Sequence, residues 1–570
     1  MFMLLPTLTL RRSTGLLCAA IALLTAPGAL AQSVTGPADI NRVQERVAQP
    51  RVIAPSDDLI QVEGRSAAAA PRGAEKIKLK LADVTFAGMT VYPDAQIAPL
   101  YRDKIGQTIT VADVYQLAAD LTRQYRNDGY ILTQVVVPPQ TIEGGHVKLM
   151  VVEGYISDVT VEGDNTDTER ALIASYANHL KDRPLNTREL EKAILLTNDL
   201  PGVSARSIIS PALNHAGAAQ LRIVTERKSY NALLSADNYG SRFLGPLQLQ
   251  GALSGNSLLG MNERITTDLI YAPDGSELAY GDLIYTQPIG SWGTRLEVKG
   301  ALAASDPGYI LKPFDINGRA VTLSVRIDQP IWRTRAENWS VYGLLEGRNN
   351  MTQSNADITR KDRIRAIRLG TDYDRIDSLF GGGFNSLNLE LAQGLDLLNA
   401  SDEGDTNLSR TAGDPQFTKM EAEFQRLQRL TTGVNLLLGV RGQIADEAML
   451  SSEEFGVGGP QYGRGYDPSE IVGDDGIAGK LEVQFNDPVP ASFLKTYQLY
   501  GFLDGGRVWN DDATTAADRE ISVISTGIGV RATLKTNTEA GMYVALPLNR
   551  DVQTLGNEDP RVFVNVNHKF

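Results

Sequence analysis

Arg561-Val-Phe-Val-Asn-Val-Asn-His-Lys-Phe570 is the stretch whose reading decides the fold. Val562, Val564 and Val566 stand in phase with Phe570, a period of two that marks a strand with one apolar face. The same period runs back to about Tyr230, in short segments separated by Gly, Asp, Asn and Pro. Val321, Leu323, Val325 and Ile327 alternate with Thr322, Ser324, Arg326 and Asp328. Leu296, Val298 and Leu302 alternate with Arg295, Glu297 and Lys299, and Val434, Leu436, Leu438 and Val440 interleave with Asn435, Gly439 and Arg441. Strands need one apolar and one charged face when lipid lies outside and water inside. A soluble sandwich or propeller alternates in the same way, so no single segment decides between them.

The number and spacing of segments carry more. Sixteen candidate strands begin near Tyr230, Leu247, Arg264, Leu278, Thr294, Arg319, Trp339, Arg363, Gly383, Phe417, Thr432, Ala478, Gln498, Ser522, Glu539 and Arg561. An even number suits a single-chain bacterial barrel. Connections after odd strands are mostly long, as at Ser305–Gly318, Gln393–Gln416, Ala445–Ile477 and Pro547–Pro560. Several after even strands are short, as at Gly290–Trp292, Leu430–Thr431 and Thr536–Thr538. Long outer loops and short periplasmic turns give that asymmetry.

Bulk properties agree with a membrane barrel. The 570 residues are 22% charged with mean hydropathy −0.18, values that would suit a soluble protein. No window beyond the N-terminus approaches the eighteen consecutive apolar residues of a membrane helix. Barrel strands alternate lipid-facing and lumen-facing residues, so their average hydropathy looks soluble. A net charge of −13 argues against a nucleic-acid partner. The acidic pairs Asp402-Glu403, Glu453-Glu454, Asp474-Asp475 and Asp511-Asp512 fall in predicted loops and are expected to be solvated charge.

The N-terminus sets the compartment. Arg11-Arg12, the apolar run Leu16 to Leu24 and Ala29-Leu30-Ala31 form a secretory signal, with cleavage expected after Ala31 (residues 1–31). The only cysteine, Cys18, lies inside it, preceded by Leu17 where a lipoprotein signal needs a small residue. A mature chain without thiols suits the periplasm and excludes thiolate catalysis and thiolate metal sites. Asp39–Ala48 spaces Ile40, Val43 and Val47 as a short helix, and a linker is expected to run from there to about Ala74.

Two α/β units precede the barrel, at 77–154 and 155–228. In the first, strand Leu81–Phe86 leads to a short helix, Pro93–Tyr101. An amphipathic helix from Val111 to Asn127 follows, with Val114, Leu117, Leu121 and Tyr125 on its core face, and then the pair Leu132–Val137 and Val147–Val152. The second unit repeats the order with Val159–Val161, Arg170–His179, Arg188–Asn198, Val203–Ile209 and Ala219–Val224. An order repeated after about 75 residues is an internal repeat.

These units resemble POTRA domains. Arg126-Asn-Asp-Gly-Tyr-Ile-Leu, followed by Val137-Pro-Pro-Gln, resembles the first POTRA of two-partner secretion transporters, the haemolysin-activator and haemagglutinin exporters. The closing strand ending in Phe570 is similar to the assembly signal of bacterial outer-membrane proteins. The resemblance covers nearly the whole mature chain. It implies a sixteen-stranded antiparallel membrane β-barrel (229–570) preceded by two periplasmic POTRA domains. It also implies export of a large unfolded exoprotein client, such as a haemolysin or adhesin, bound through the POTRA domains. The barrel would lie among outer-membrane lipid and lipopolysaccharide, placed there by the barrel-assembly machinery. The 32–76 stretch would supply a helix that plugs the pore. Export would be driven by folding of the client outside.

The resemblance also implies a working part. Gly463-Arg464-Gly465-Tyr466 lies in the longest predicted loop, about 445–477, and matches the tip that superfamily members fold into the lumen. Phe502-Leu503-Asp504-Gly505-Gly506 matches their barrel-wall motif, making Asp504 the expected partner of Arg464. A guanidinium in a narrow lumen needs a fixed carboxylate. Gly463 and Gly465 allow a tight turn beside the wall, and Gly506 is expected to leave space for the tip.

No enzyme is expected. G-x-S-x-G, a phosphate loop and H-E-x-x-H are absent, and His146, His179, His215 and His568 are isolated, so neither metal nor cofactor is expected. An assembly factor of the same superfamily and a substrate-specific porin remain alternatives. A neighbouring gene for a large, signal-bearing, β-helical exoprotein would separate them from secretion.

Overall fold

The computed structural model describes residues 36–40, 60–62, 69–181, 183–212, 215–273, 277–355, 357–487 and 493–570. The expected signal segment, and the expected helix beyond Ile40, lie outside these residues.

The sixteen alternating segments form a closed antiparallel barrel, each strand paired with its sequence neighbour and the first, Tyr230–Asp237, with the last, Arg561–Lys569. Alternation sets which side chains meet lipid. Val321, Leu323, Val325 and Ile327 are exposed on the outer surface, whereas Thr322, Ser324 and Asp328 between them are buried. The barrel thus reverses the usual burial pattern, with apolar side chains outside and ionised ones inside. Only two residues separate the seventh strand, Glu337–Ser354, from the eighth, Asp357–Asp377. That odd-to-even connection is short because these strands, 18 and 21 residues long, themselves form the projecting hairpin.

In the first periplasmic unit, strands Asp83–Ala87 and Gln134–Val136 flank His146–Val152 in a three-stranded sheet. The second of these is shorter than the expected Leu132–Val137. Leu132 leaves the strand and packs in the core of the second unit, with Ile156, Ile173 and Leu190. The helix Val111–Asn127 begins with a Thr110/Asp113 capping box and buries Val114, Leu117, Leu121 and Tyr125. The second unit has strands Tyr155–Glu162, Val203–Pro211 and Ala218–Arg227 and helices Asp167–Ala177 and Thr187–Asn198. The units are joined tightly: Thr187 donates from its backbone N–H (2.8 Å) and its hydroxyl (2.6 Å) to the Gly129 carbonyl.

The expected linker is partly a strand. Ile60–Val62 pairs in parallel with Val203–Pro211, Ile60 opposite Ser207 and Val62 opposite Ile209, and becomes the edge of the second unit's sheet. The signal missed was Ile60-Gln61-Val62 itself, a short apolar alternation among Pro, Ala and Arg residues.

The second unit sits against turns that follow even-numbered strands. Arg333 forms two bonds of 2.8 Å to Asp199, the Arg335 backbone donates to Glu191 (2.9 Å), and His179 stacks on Trp292. Thr166 donates to the Gly260 carbonyl (2.8 Å). These contacts mark the periplasmic end, so the long loops after odd strands open at the opposite end.

Candidate functional site: the lumen loop and its wall

Between the eleventh strand, Val434–Ala445, and the twelfth, Asp475–Asp487, the chain folds back into the barrel. A short hairpin, Phe455–Val457 paired with Ile471–Gly473, forms its stem. Phe455, Val457, Tyr462, Tyr466 and Ile471 bury against Val508 and Val523 of the wall. The tip is a tight turn in which Tyr466 N–H donates to the Gly463 carbonyl (2.9 Å). Gly463 has φ +94°, a left-handed conformation that side chains disfavour. A Cβ on Gly465 would stand 2.9 Å from Ser525 Cβ and 3.0 Å from the Pro547 nitrogen, so glycine lets the tip touch the wall.

The turn delivers Arg464 between two wall carboxylates. Its Nε donates to Asp504 Oδ2 (2.5 Å), its Nη1 to Glu482 Oε2 (2.5 Å) and its backbone N–H to Asp504 Oδ1 (3.0 Å). The guanidinium carbon lies 3.6 Å from the Phe502 ring centroid, a cation–π contact from the same wall motif. Ser525 donates to Asp504 Oδ1 (2.5 Å) and accepts from Gly465 N–H (3.0 Å). Arg531 donates to Glu482 Oε1 (2.7 Å), so neither carboxylate depends on the loop alone. Burial disfavours the charge on Arg464, but Asp504 and Glu482 outweigh it and hold the guanidinium above its ordinary pKa. Removing one member of so buried a set costs about 3–5 kcal/mol.

The expected site residues therefore meet: Gly463, Arg464 and Gly465 at the tip, Phe502 and Asp504 on the wall. Tyr466 is fully buried, its hydroxyl bonding Asn549 (3.1 Å). Gly506 acts differently from expectation. A Cβ there would strike the Ile477 carbonyl at 2.6 Å and Ala478 at 3.0 Å, so it clears the neighbouring strand rather than the tip. Gly505 likewise meets Val523 on the other side. Phe570 lies on the outer surface, its N–H bonded to the Ala232 carbonyl (3.0 Å) beside the seam.

Two of the acidic pairs contradict the expectation of solvated charge. Glu453, Glu454 and Asp474 are buried, because the loop that carries them turns inward. Arg410, from the loop before the tenth strand, Thr418–Arg429, pairs with Asp474, Asp512 and Glu454 and donates to the Met449 carbonyl (2.8 Å). Asp467 takes Arg561 Nη2 (2.6 Å). Beside it burial, then the Asp467 charge, pushes the Glu470 carboxyl up to about 7. Glu482 went unread, although alternation puts it on the same strand face as Lys480 and Gln484.

The start of the described chain also lies in the lumen. Residues 36–38 are helical, Ser241 donates to the Pro37 carbonyl (2.7 Å), and Ile40 is buried against Leu244, Ile270 and Tyr280.

Comparison with known proteins agrees with this geometry. Residues 217–532 match the family described as haemolysin secretion/activation protein ShlB/FhaC/HecB, and residues 79–154 match the ShlB-type POTRA domain. The heme/hemopexin transporter protein HuxB of Haemophilus influenzae (strain 86-028NP) is 25% identical over 92% of this chain and 93% of its own length. The outer membrane transporter CdiB of Dickeya dadantii (strain 3937) is 22% identical over 77% of this chain and 78% of its own. Among solved structures, CdiB from Escherichia coli superposes with TM-score 0.72 at 18% identity, covering 88% of this chain and 93% of that one. BamA from Haemophilus ducreyi lacking POTRA domains 1–3 gives 0.52 at 13% identity, with 86% and 100% coverage. At these identities the structures speak for the fold alone.

Proposed function

The chain belongs to the ShlB/FhaC/HecB family of haemolysin secretion/activation proteins, and from that premise we propose how its lumen loop governs export. It is an outer-membrane transporter of two-partner secretion, with its POTRA units in the periplasm, and it carries an exoprotein partner to the cell surface. The family match sets aside the assembly-factor and porin alternatives. The loop tip is the gate: Arg464 holds it across the lumen at rest, and the tip must leave the wall for an unfolded chain to pass. The observation that carries this is Arg464 held by Asp504 and Glu482 together. The segment 36–40 is a second obstruction that leaves with it. The transporter performs no covalent chemistry, and folding of the client outside makes passage one-way.

The client docks as an added strand on the second POTRA. Val203–Pro211 already accepts Ile60–Val62 from the chain's own linker, so that edge takes extended peptides. Lipopolysaccharide surrounds the outer half of the apolar belt, and the barrel-assembly machinery inserts the chain. Export of the partner by cells carrying Arg464→Ala tests the gate, whose tip must return to the wall as well as leave it: loss of export from an assembled barrel is expected, and normal export would reject it. A peptide from the client's N-terminal secretion domain should bind more tightly to the full chain once Gln61→Pro removes the linker strand. Unchanged binding would place the client elsewhere.

A further inference from the structure

The limb of the lumen loop that leads to the tip carries a second charged contact, on the adjoining stretch of wall formed by the seventh to eleventh strands. Glu453 is buried there. Arg368 Nη2 donates to both its carboxylate oxygens (2.9 and 3.1 Å), Lys419 Nζ lies 2.9 Å from Oε2, and Arg348 Nη1 lies 3.6 Å from Oε1. The Glu453 carbonyl also accepts from Lys419 Nζ (3.1 Å) and Gln443 Nε2 (3.0 Å). Next to it, Asn350 donates to the Ser452 hydroxyl (3.2 Å). Arg348 and Asn350 come from the seventh strand, Arg368 from the eighth, Lys419 from the tenth and Gln443 from the eleventh, so the limb is gripped by four strands.

Charge balance gives this contact its meaning. The wall cluster contains Arg348, Arg368, Lys419 and Arg441, which pair among themselves with Glu346, Glu390 and Glu421. Three of these cations, Arg348, Arg368 and Lys419, also converge on Glu453 from the loop and share it as a counter-ion. Without it, three mutually repelling cations lose the carboxylate set between them, which is strongly unfavourable away from water. The tip works in mirror image, a loop cation between wall carboxylates.

We propose that Glu453 is a second latch of the lumen loop: a positioning residue that holds the limb to the cationic wall, so that the pore opens only when both latches release. The proposal rests on the reading of the loop as a gate. It gives the loop two separate holds on the barrel wall, where the tip motif alone would leave the limb free to swing.

The test is single-channel conductance of the purified full-length protein in planar bilayers, with barrel assembly checked by heat-modifiable migration. Glu453→Gln keeps the shape and removes the charge, and should raise open-state occupancy at least about tenfold. Glu453→Lys should open the channel further, and adding Arg368→Glu, which restores the balance with signs exchanged, should close it again. A purely structural role for Glu453 would not give that rescue. Wild-type conductance in Glu453→Gln, while Arg464→Ala opens the channel, would overturn the second latch alone. Wild-type conductance in both variants would overturn the gate, and the latch with it.

Discussion

At its tip the lumen loop puts a guanidinium into an acidic wall, and earlier in its course it puts a carboxylate into a basic one. The tip contact depends on backbone as much as on charge, because Gly463 and Gly465 press the turn against Ser525 and Pro547. The limb contact is made by side chains reaching from four strands. The contrast explains how a plug can be firm at rest and still removable. The apolar cluster of the stem packs against Val508 and Val523, whereas each ion pair weakens as water enters and the local dielectric rises. A small opening at either wall therefore makes the next step easier.

The comparison can be broken most severely at the tip. Arg464→Ala should reduce partner export to background, read as secreted partner in the medium, while the barrel still migrates as an assembled form. Arg464→Lys should sharpen it: an ammonium reaches Asp504 or Glu482 but does not fork to both, so export should fall to an intermediate level. Gly465→Val should give a smaller loss, because its side chain would force the tip off Ser525 without removing any charge; raised channel conductance is the readout.

The smallest effect should come from Glu470, between tip and stem. Its carboxyl is pushed up to about 7 from an ordinary 4.5 by burial and by Asp467, with Arg561 opposing. A raised carboxyl favours the protonated form in the docked loop. Its contribution is therefore fully present below the ordinary value and lost as pH rises through about 7. Channel opening should increase modestly across that range, and Glu470→Gln should flatten the dependence; an unaltered profile would remove Glu470 from the account.

What could be read in advance follows from the range over which each signal acts. Val562, Val564 and Val566, and the segments like them, declare a strand with an apolar face within a few residues, so the barrel and its sixteen strands were legible. Arg464 and Asp504 were legible because each lies in a recognisable local phrase. Glu453, Arg368 and Lys419 have no such phrase. Their meaning arises only when the loop turns inward and brings three charges together, and Glu453-Glu454 alone looks like solvated loop charge. Arg410 and Asp474 were hidden for the same reason. Ile60–Val62 was missed because three residues are too few for periodicity to register, and its strand exists only by virtue of the neighbouring edge.

Leu132 in the core of the second unit and the paired bonds from Thr187 to Gly129 make the two periplasmic units one solid piece, which Arg333 and Thr166 fasten to the barrel mouth. On the proposed docking, a client strand would be held at a constant offset from the pore, and the periplasmic piece would behave as a ruler. The stretch of client between its docked strand and its leading segment would then have a preferred length, at about 3.3 Å of reach for each residue. Secretion efficiency should depend on that spacing as well as on what the client displays.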